Sequence, residues 1–361
     1  MLMLKKTIAA LSLLSILAAC QNDENPSQPE PKPRQDINLT RAEQEFMDKG
    51  TDFAFRFFDQ VCSTEKEKPN VFVSPLSASL CLSMITNGAT DNTLAEMQDV
   101  LGFPANTFSL DDLNNYNQKL TSALLDLDNT TQLGIANSIW IEEGFKVYDS
   151  FVDVNKKMYD AQVQELDFTS PTAKDVINQW CATQTNNCIK EVIQEIPADV
   201  RMYLINALYF KGIWKSQFDK SATGHDNFTN VDGSQQKVAM MNQTATFNYT
   251  QTDDFSIAEL PYGNEAFSMV ILLPSGDKTL NESLPSLNYE NWKQWSKNMV
   301  RKELQIKLPR FKVEYDKELE EDMIVMGMKD AFDAYKAKFA NMSGAELYIG
   351  LLQQFTYINV D

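Results

Sequence analysis

The sequence predicts an α+β fold built as one large domain, and three observations carry that expectation. Apolar residues recur at helical spacing through the first third. Strand and turn signals dominate the second half. No internal repeat appears along the 361 residues. Helices that lead and strands that follow fit one mixed domain better than a string of βαβ units.

The elements can be argued in order. Phe46, Gly50, Phe53, Phe57 and Val61 make an amphipathic helix that stops before the charged turn Glu65-Lys66-Glu67-Lys68-Pro69. Ser74-Pro75 opens a second helix running to Gly88, with serine as N-cap and proline at the first helical position. Thr90 or Asp91 caps a third helix to Leu101, halted by Gly102 and Pro104, and Leu110–Leu127 forms a fourth. From Thr131 to Trp140 the residues read as a strand packed on both faces. Helices are expected at 149–160 and 172–195, then a long strand over 200–214. Further strands follow, punctuated by Asp232-Gly233, Pro261-Tyr262-Gly263 and Pro274-Ser275-Gly276-Asp277, and including the run Phe267–Leu273. Helices return at 283–300 and 317–333, with strands over 301–314 and from 346 onward.

Lysine and arginine total 32 against 50 acids, a formal charge of −18. Such a surface repels phosphate backbones, so nucleic acid is not an expected partner, and the acidity reads as solubility. At the N-terminus, Lys5-Lys6 precede an apolar stretch from Thr7 to Ala19, the pattern of a signal peptide and too short to span a bilayer. It ends Leu17-Ala18-Ala19-Cys20, similar to the lipobox of bacterial lipoproteins, which implies acylation of Cys20 after cleavage. Gln21 in place of aspartate implies outer-membrane anchoring, with the domain periplasmic or facing outward. Residues 20–39 carry four prolines and few apolar residues, an expected disordered tether between the lipid and a domain over 40–361.

Of five cysteines, Cys62 and Cys81 sit with apolar helices and read as buried thiols. Cys181 and Cys188 leave two outcomes open. An exported protein permits a disulfide between them. A continuous helix would hold them about 10 Å apart, too far for a bond unless it ends in Thr-Gln-Thr-Asn-Asn. No metal or cofactor is expected, since the chain has no CxxC motif, Walker sequence, dinucleotide fingerprint, HExxH or EF-hand loop. Hydrolase chemistry would need the single histidine, His225, which lies in a polar turn without a G-x-S-x-G elbow. An enzyme is therefore not expected.

A series of segments resembles the serpin family in order, over nearly all of residues 45–361. They begin with Asn70-Val71-Phe72-Val73-Ser74-Pro75-Leu76-Ser77, then Asn87-Gly88-Ala89 with Thr93 and Leu101-Gly102-Phe103. The most specific is Asn206-Ala207-Leu208-Tyr209-Phe210-Lys211-Gly212-Ile213-Trp214. Met240-Met241, Glu259-Leu260-Pro261-Tyr262, Leu272-Leu273-Pro274, Leu308-Pro309-Arg310-Phe311 and Met326-Gly327-Met328-Lys329-Asp330-Ala331-Phe332 complete the order. The resemblance implies helices on a large central mixed β-sheet with two smaller sheets, in a monomer. It implies inhibition of a serine, or cysteine, protease. A bait bond is attacked to give the acyl-enzyme. The cut loop then enters the central sheet as a new strand.

The same resemblance assigns Ser74, Ser77 and Asn206 to a polar "shutter" under the middle of the sheet, and Trp214 to the "breach" where insertion begins. Arg310 falls where the family places a cation near the loop's hinge. Gln354 stands where many members have a histidine; its amide both donates and accepts without titrating. The strand carrying Asn206 and the strand ending at Asp361 are expected as neighbours that part to admit the guest. The hinge, the bait bond and the last strands of the two smaller sheets are expected beyond Asp361, so the chain unaided is not expected to inhibit. A non-inhibitory surface lipoprotein of the same fold is the alternative.

Overall fold

Four helices open the domain, and the chemistry of their ends sets their bounds. They are α1 (Arg41–Thr64), α2 (Pro75–Thr86), α3 (Asp91–Leu101) and α4 (Leu110–Asp126). Thr40 and Ser109 begin α1 and α4 with capping boxes, each pairing reciprocally with the acid three residues on. Ser74 caps α2 by accepting from the Ser77 N–H, with Pro75 at the first position. Gly102, at φ +85°, closes α3 in the left-handed conformation that glycine adopts without strain.

Strands and helices then mix: β1 (Gln132–Glu142), α5 (Asp149–Tyr159), β2 (Gln162–Leu166), α6 (Ala173–Gln184) and β3 (Met202–Lys211). The second half adds β4 (Gly224–Thr229), β5 (Gln235–Gln251), β6 (Phe255–Pro261), β7 (Ser268–Pro274), α7 (Leu280–Ser283) and α8 (Tyr289–Lys297). It closes with β8 (Val300–Pro309), β9 (Phe311–Glu318), α9 (Glu320–Met326) and β10 (Gln353–Val360). The structure, a computed structural model, describes residues 30–361 apart from Val231. Cys20 and the signal segment 1–19 lie outside the described residues.

Several elements differ from the sequence expectation. The helix expected over 172–195 ends at Gln184, because Asn186 and Asn187 adopt φ of 50° and 60°. The Asn178 side chain then holds the backbone of Val192 and Ile193, folding the following segment back along α6. The short strand β2 went unread, since exposed and half-buried residues mix along it without a clear period. The strand expected over 301–314 is two strands divided at Arg310, whose N–H donates to the Ala239 carbonyl. Gly327, at φ +123°, stops α9 early. Residues 30–39 form neither helix nor strand, yet they are not wholly free. Lys32 docks on the end of α4, its backbone N–H on Asn129 Oδ1 and its Nζ on Asp126, at 2.8 and 2.7 Å.

The described strands make three sheets, of order β2-β1-β3, β10-β9 and β4-β5-β6-β7, with β8 also paired to β5. The first is mixed, β1 running parallel to β2 and antiparallel to β3. Side-chain alternation along β3 explains why it is apolar nearly throughout. Met202 and Leu204 pack on the helical core of Phe53, Phe57, Leu80 and Met84. Tyr203, Ile205 and Ala207 pack on Trp140, Ile177 and Trp180 beneath α6. The strand around Asn206 and the strand ending at Asp361 were expected to be neighbours, and here the structure corrects the reading. Among the described strands, β3 pairs with β1 alone and β10 with β9 alone, so the expected central sheet is divided into two half-sheets.

Candidate functional site

Both half-sheets rest on α2. The Gln354 side chain of β10 accepts from the Ser74 backbone N–H (2.8 Å) and donates to the Ser74 carbonyl (2.9 Å). Thr356 donates its hydroxyl to the Phe72 carbonyl at 2.7 Å. Nearly two turns along the same helix, the Cys81 thiol reaches the Leu204 carbonyl of β3, at 3.6 Å. Burial pushes the Cys81 thiol up to about 12, so it is a neutral contact. At their far ends, Ile358 and Val360 of β10 share a cluster with Trp214, which follows β3. Both strands therefore run the same way, from α2 toward Trp214. Each strand is laddered along one edge, and its other edge carries no ladder to any described strand; the space bounded by those two edges, α2 and Trp214 is the seam.

The expected shutter residues divide into two groups. Ser74 and Gln354 form one pair, to which Ser77 adds only its backbone N–H. Asn206 belongs to a separate chain of polar groups under β3. Its Nδ2 donates to Asn137 Oδ1 (2.8 Å), and Asn137 Nδ2 donates to the Tyr159 carbonyl (2.7 Å). The Tyr159 hydroxyl donates to Asn114 Oδ1 (2.7 Å), accepts from Asn117, and is pushed up to about 12 by burial. Asn87 and Asn114 exchange two further bonds. Asn206 Oδ1 is buried with no partner, the open end of this chain. Sequence reasoning missed Asn137, Tyr159, Asn114 and Asn117. Polar residues inside apolar elements were the available signal.

Trp214 stacks on Tyr262, with ring centroids 4.5 Å apart, and bridges it through the backbone. Gly212 allows that approach, since a Cβ there would meet the Tyr262 ring at 2.6 Å. Arg310 pairs with Asp361 at 3.5 Å, both well exposed. The pair thus ties β10 to the turn between β8 and β9, and its contribution is small. Beyond the seam, Lys317 of β9 meets Glu65 at 3.0 Å and the fully buried Asp322 at 3.3 Å, joining the β9–β10 half to α1 and α9. Burial lowers the Lys317 pKa, but the two carboxylates outweigh it and hold it above the usual lysine value.

Cys181 and Cys188 are both free thiols. Cys181 packs beneath α6 with Trp140 and Ile177, and burial pushes it up to about 11. Cys188, past the helix end, is pushed up by partial burial, which outweighs the opposing charges of Lys312 and Lys211. His225 lies exposed on β4 opposite Ala239. No cluster of metal-ligating side chains occurs among the described residues.

Comparison with known proteins places this geometry. The profile of the family described as "Serpin (serine protease inhibitor)" matches residues 48–361. The chain belongs to the serpin family. Serpin B6 of Macaca fascicularis is 34% identical over 303 residues, covering 81% of this serpin and 80% of that protein. The thermophilic serpin tengpin in its latent state superposes with a TM-score of 0.81 at 31% identity, covering 91% and 87% of the two chains. Its native state gives 0.79 at 30% identity, covering 92% and 84%. Proteins of the serpin fold are typically non-catalytic inhibitors, in keeping with the expectation that the chain is not an enzyme. The α+β architecture, with helices packed around several sheets, stands as the sequence predicted.

Proposed function

We propose that this serpin inhibits a serine, or cysteine, protease by accepting a strand between β3 and β10. The supporting observation is the seam: two co-directed strand edges on one helix, with no ladder between them. An incoming strand has no existing β3–β10 pairing to break. The protease nucleophile attacks the bait carbonyl, the amine leaves, and the ester or thioester remains. A guest of about ten residues could gain roughly 0.5–1.5 kcal/mol per ladder bond, of order 10 kcal/mol in all. A drop of that size would bias an otherwise reversible encounter into a lasting one. Ser74, Gln354, Asn206 and Trp214 line or end the seam, which suits the shutter and breach roles the family resemblance implies.

The test uses the protein as the cell makes it. Mixed with a panel of serine and cysteine proteases, it should give a complex that survives boiling in detergent. Cleaved protein with free, active enzyme across the whole panel would leave the non-inhibitory alternative. We also place the protein outside the inner membrane, held by lipid on Cys20. Cys20→Ser should move it from the membrane to the soluble fraction, and retention would remove the anchor.

A further inference from the structure

The turn between α4 and β1 holds a buried carboxylate that the seam does not use. Asp128 Oδ1 accepts from the backbone N–H of Thr130 at 2.8 Å and from its hydroxyl at 2.7 Å. Oδ2 accepts from the Thr131 hydroxyl at 2.8 Å and from the backbone N–H of Asn264 at 3.3 Å. Asn264 lies 136 residues away, in the turn joining β6 to β7, and its side chain also donates to the Leu127 carbonyl at 2.8 Å. Two turns remote in sequence are thus fastened together. Gly263 permits it, because a Cβ at that position would collide with Asp128 Oδ2 and Thr130 Oγ1.

The fastened turn reaches the seam in two further contacts. Gly263 donates its N–H to the Ile213 carbonyl at 2.8 Å, and Tyr262 stacks on Trp214. Trp214 in turn packs with Ile358 and Val360 where β10 ends. On the other side of the same turn, Gln132 begins β1 opposite Lys211, the last residue of β3. Asp128 therefore sits where both half-sheets finish.

We infer that Asp128 is a positioning residue that fixes Trp214 at the end of the seam, and that protonating its carboxylate releases that end. The placement of Trp214 stands on geometry alone. Only the use of its release, to let a strand in, rests on the function proposed above. A carboxylate accepts all four bonds; a carboxylic acid must turn one oxygen into a donor, which a threonine hydroxyl can accept only by giving up its own donation to the carboxyl. Partial burial raises the Asp128 pKa, but the bonds from Thr130, Thr131 and Asn264 outweigh that and hold it below the ordinary aspartate value. With the folded value depressed, the fastening is complete above the unfolded value of about 3.9 and is lost as pH falls through the lower folded one. The ionisable groups at the two turns and at the end of β3 are Asp126, paired with Lys32, Glu265, paired with Lys215, Lys211, and the Tyr262 phenol. Burial pushes that phenol up to about 12, so it stays neutral in acid.

Emission from Trp214, taken as the difference between the protein and its Trp214→Phe variant, reads the end of the seam directly. It should show an acid step below pH ~3.9. Asp128→Asn should show displaced emission already at pH 7 and no acid step. Thr131→Val, which removes one donor and keeps the carboxylate, should move the step upward by roughly half a pH unit or more. Wild-type emission in Asp128→Asn at pH 7, an acid step that persists without the carboxylate, or an unmoved step in Thr131→Val would overturn the inference. A flat emission profile beside intact complex formation defeats this inference alone. A normal acid step in a protein that never captures a protease defeats only the proposed function.

Discussion

Gln354 grips Ser74 by both of its backbone polar groups, whereas Asn206 is bonded only toward Asn137. The two side chains were expected in one cluster, and the geometry gives them no common bond. Gln354→Leu should cost about 1–3 kcal/mol, because it leaves the half-buried Ser74 N–H unpaired, while the Ser74 carbonyl keeps the Ala78 N–H. Asn206→Ala should cost about 1 kcal/mol, since Asn137 loses a donor while an unpartnered acceptor disappears with it. Urea unfolding of both single variants and the double variant should give additive losses within about 0.5 kcal/mol. A coupling near 1 kcal/mol or more would mean a network that the bonds do not contain. Ser74 and Gln354 were legible because they lie in short motifs whose order is specific. Asn137 and Tyr159 were not. A lone asparagine in an apolar strand says that a partner exists, and its identity depends on which helix packs beneath it.

Among the elements, α2 was the most legible, since the Ser74 cap does what its residue type implies, whereas Thr90, expected to cap α3, makes no side-chain cap bond. The misread ends depended on tertiary contacts, as where Asn178 captures the chain after α6. Helix α1 shows how strongly one cap can be tuned. Glu43 accepts from the Lys119 ammonium at 2.6 Å and from the Thr40 N–H at 2.7 Å, and these hold its carboxyl down at about 2. A depressed folded value means the cap is fully formed above the unfolded pKa near 4.3 and is lost as pH falls toward 2. Following the Glu43 side-chain resonance through an acid titration should give a midpoint near 2. In Lys119→Ala that midpoint should rise, with the start of α1 fraying at a higher pH. An unchanged midpoint would show that Lys119 does not govern the cap.

For the whole molecule, the decisive feature is how the central layer divides, and sequence could not supply it. Strand periodicity marks β3 and β10 as apolar strands, but pairing is a property of edges, which no residue pattern records. The consequence is measurable by hydrogen exchange. In β3 the amides directed to β1, and in β10 those directed to β9, sit in complete antiparallel ladders. Roughly alternate amides of each strand point the other way, into the seam, and edge groups of this kind are open to water or to another chain. Those amides, along Leu204–Phe210 and Gln354–Asn359, should exchange much faster than their neighbours. An added extended peptide of about ten residues, with small or apolar side chains at every second position, should slow the fast sets on both strands together. Joint protection requires one guest to touch both edges at once. Protection confined to β3, or to β10, would show two independent edges and no shared site between them.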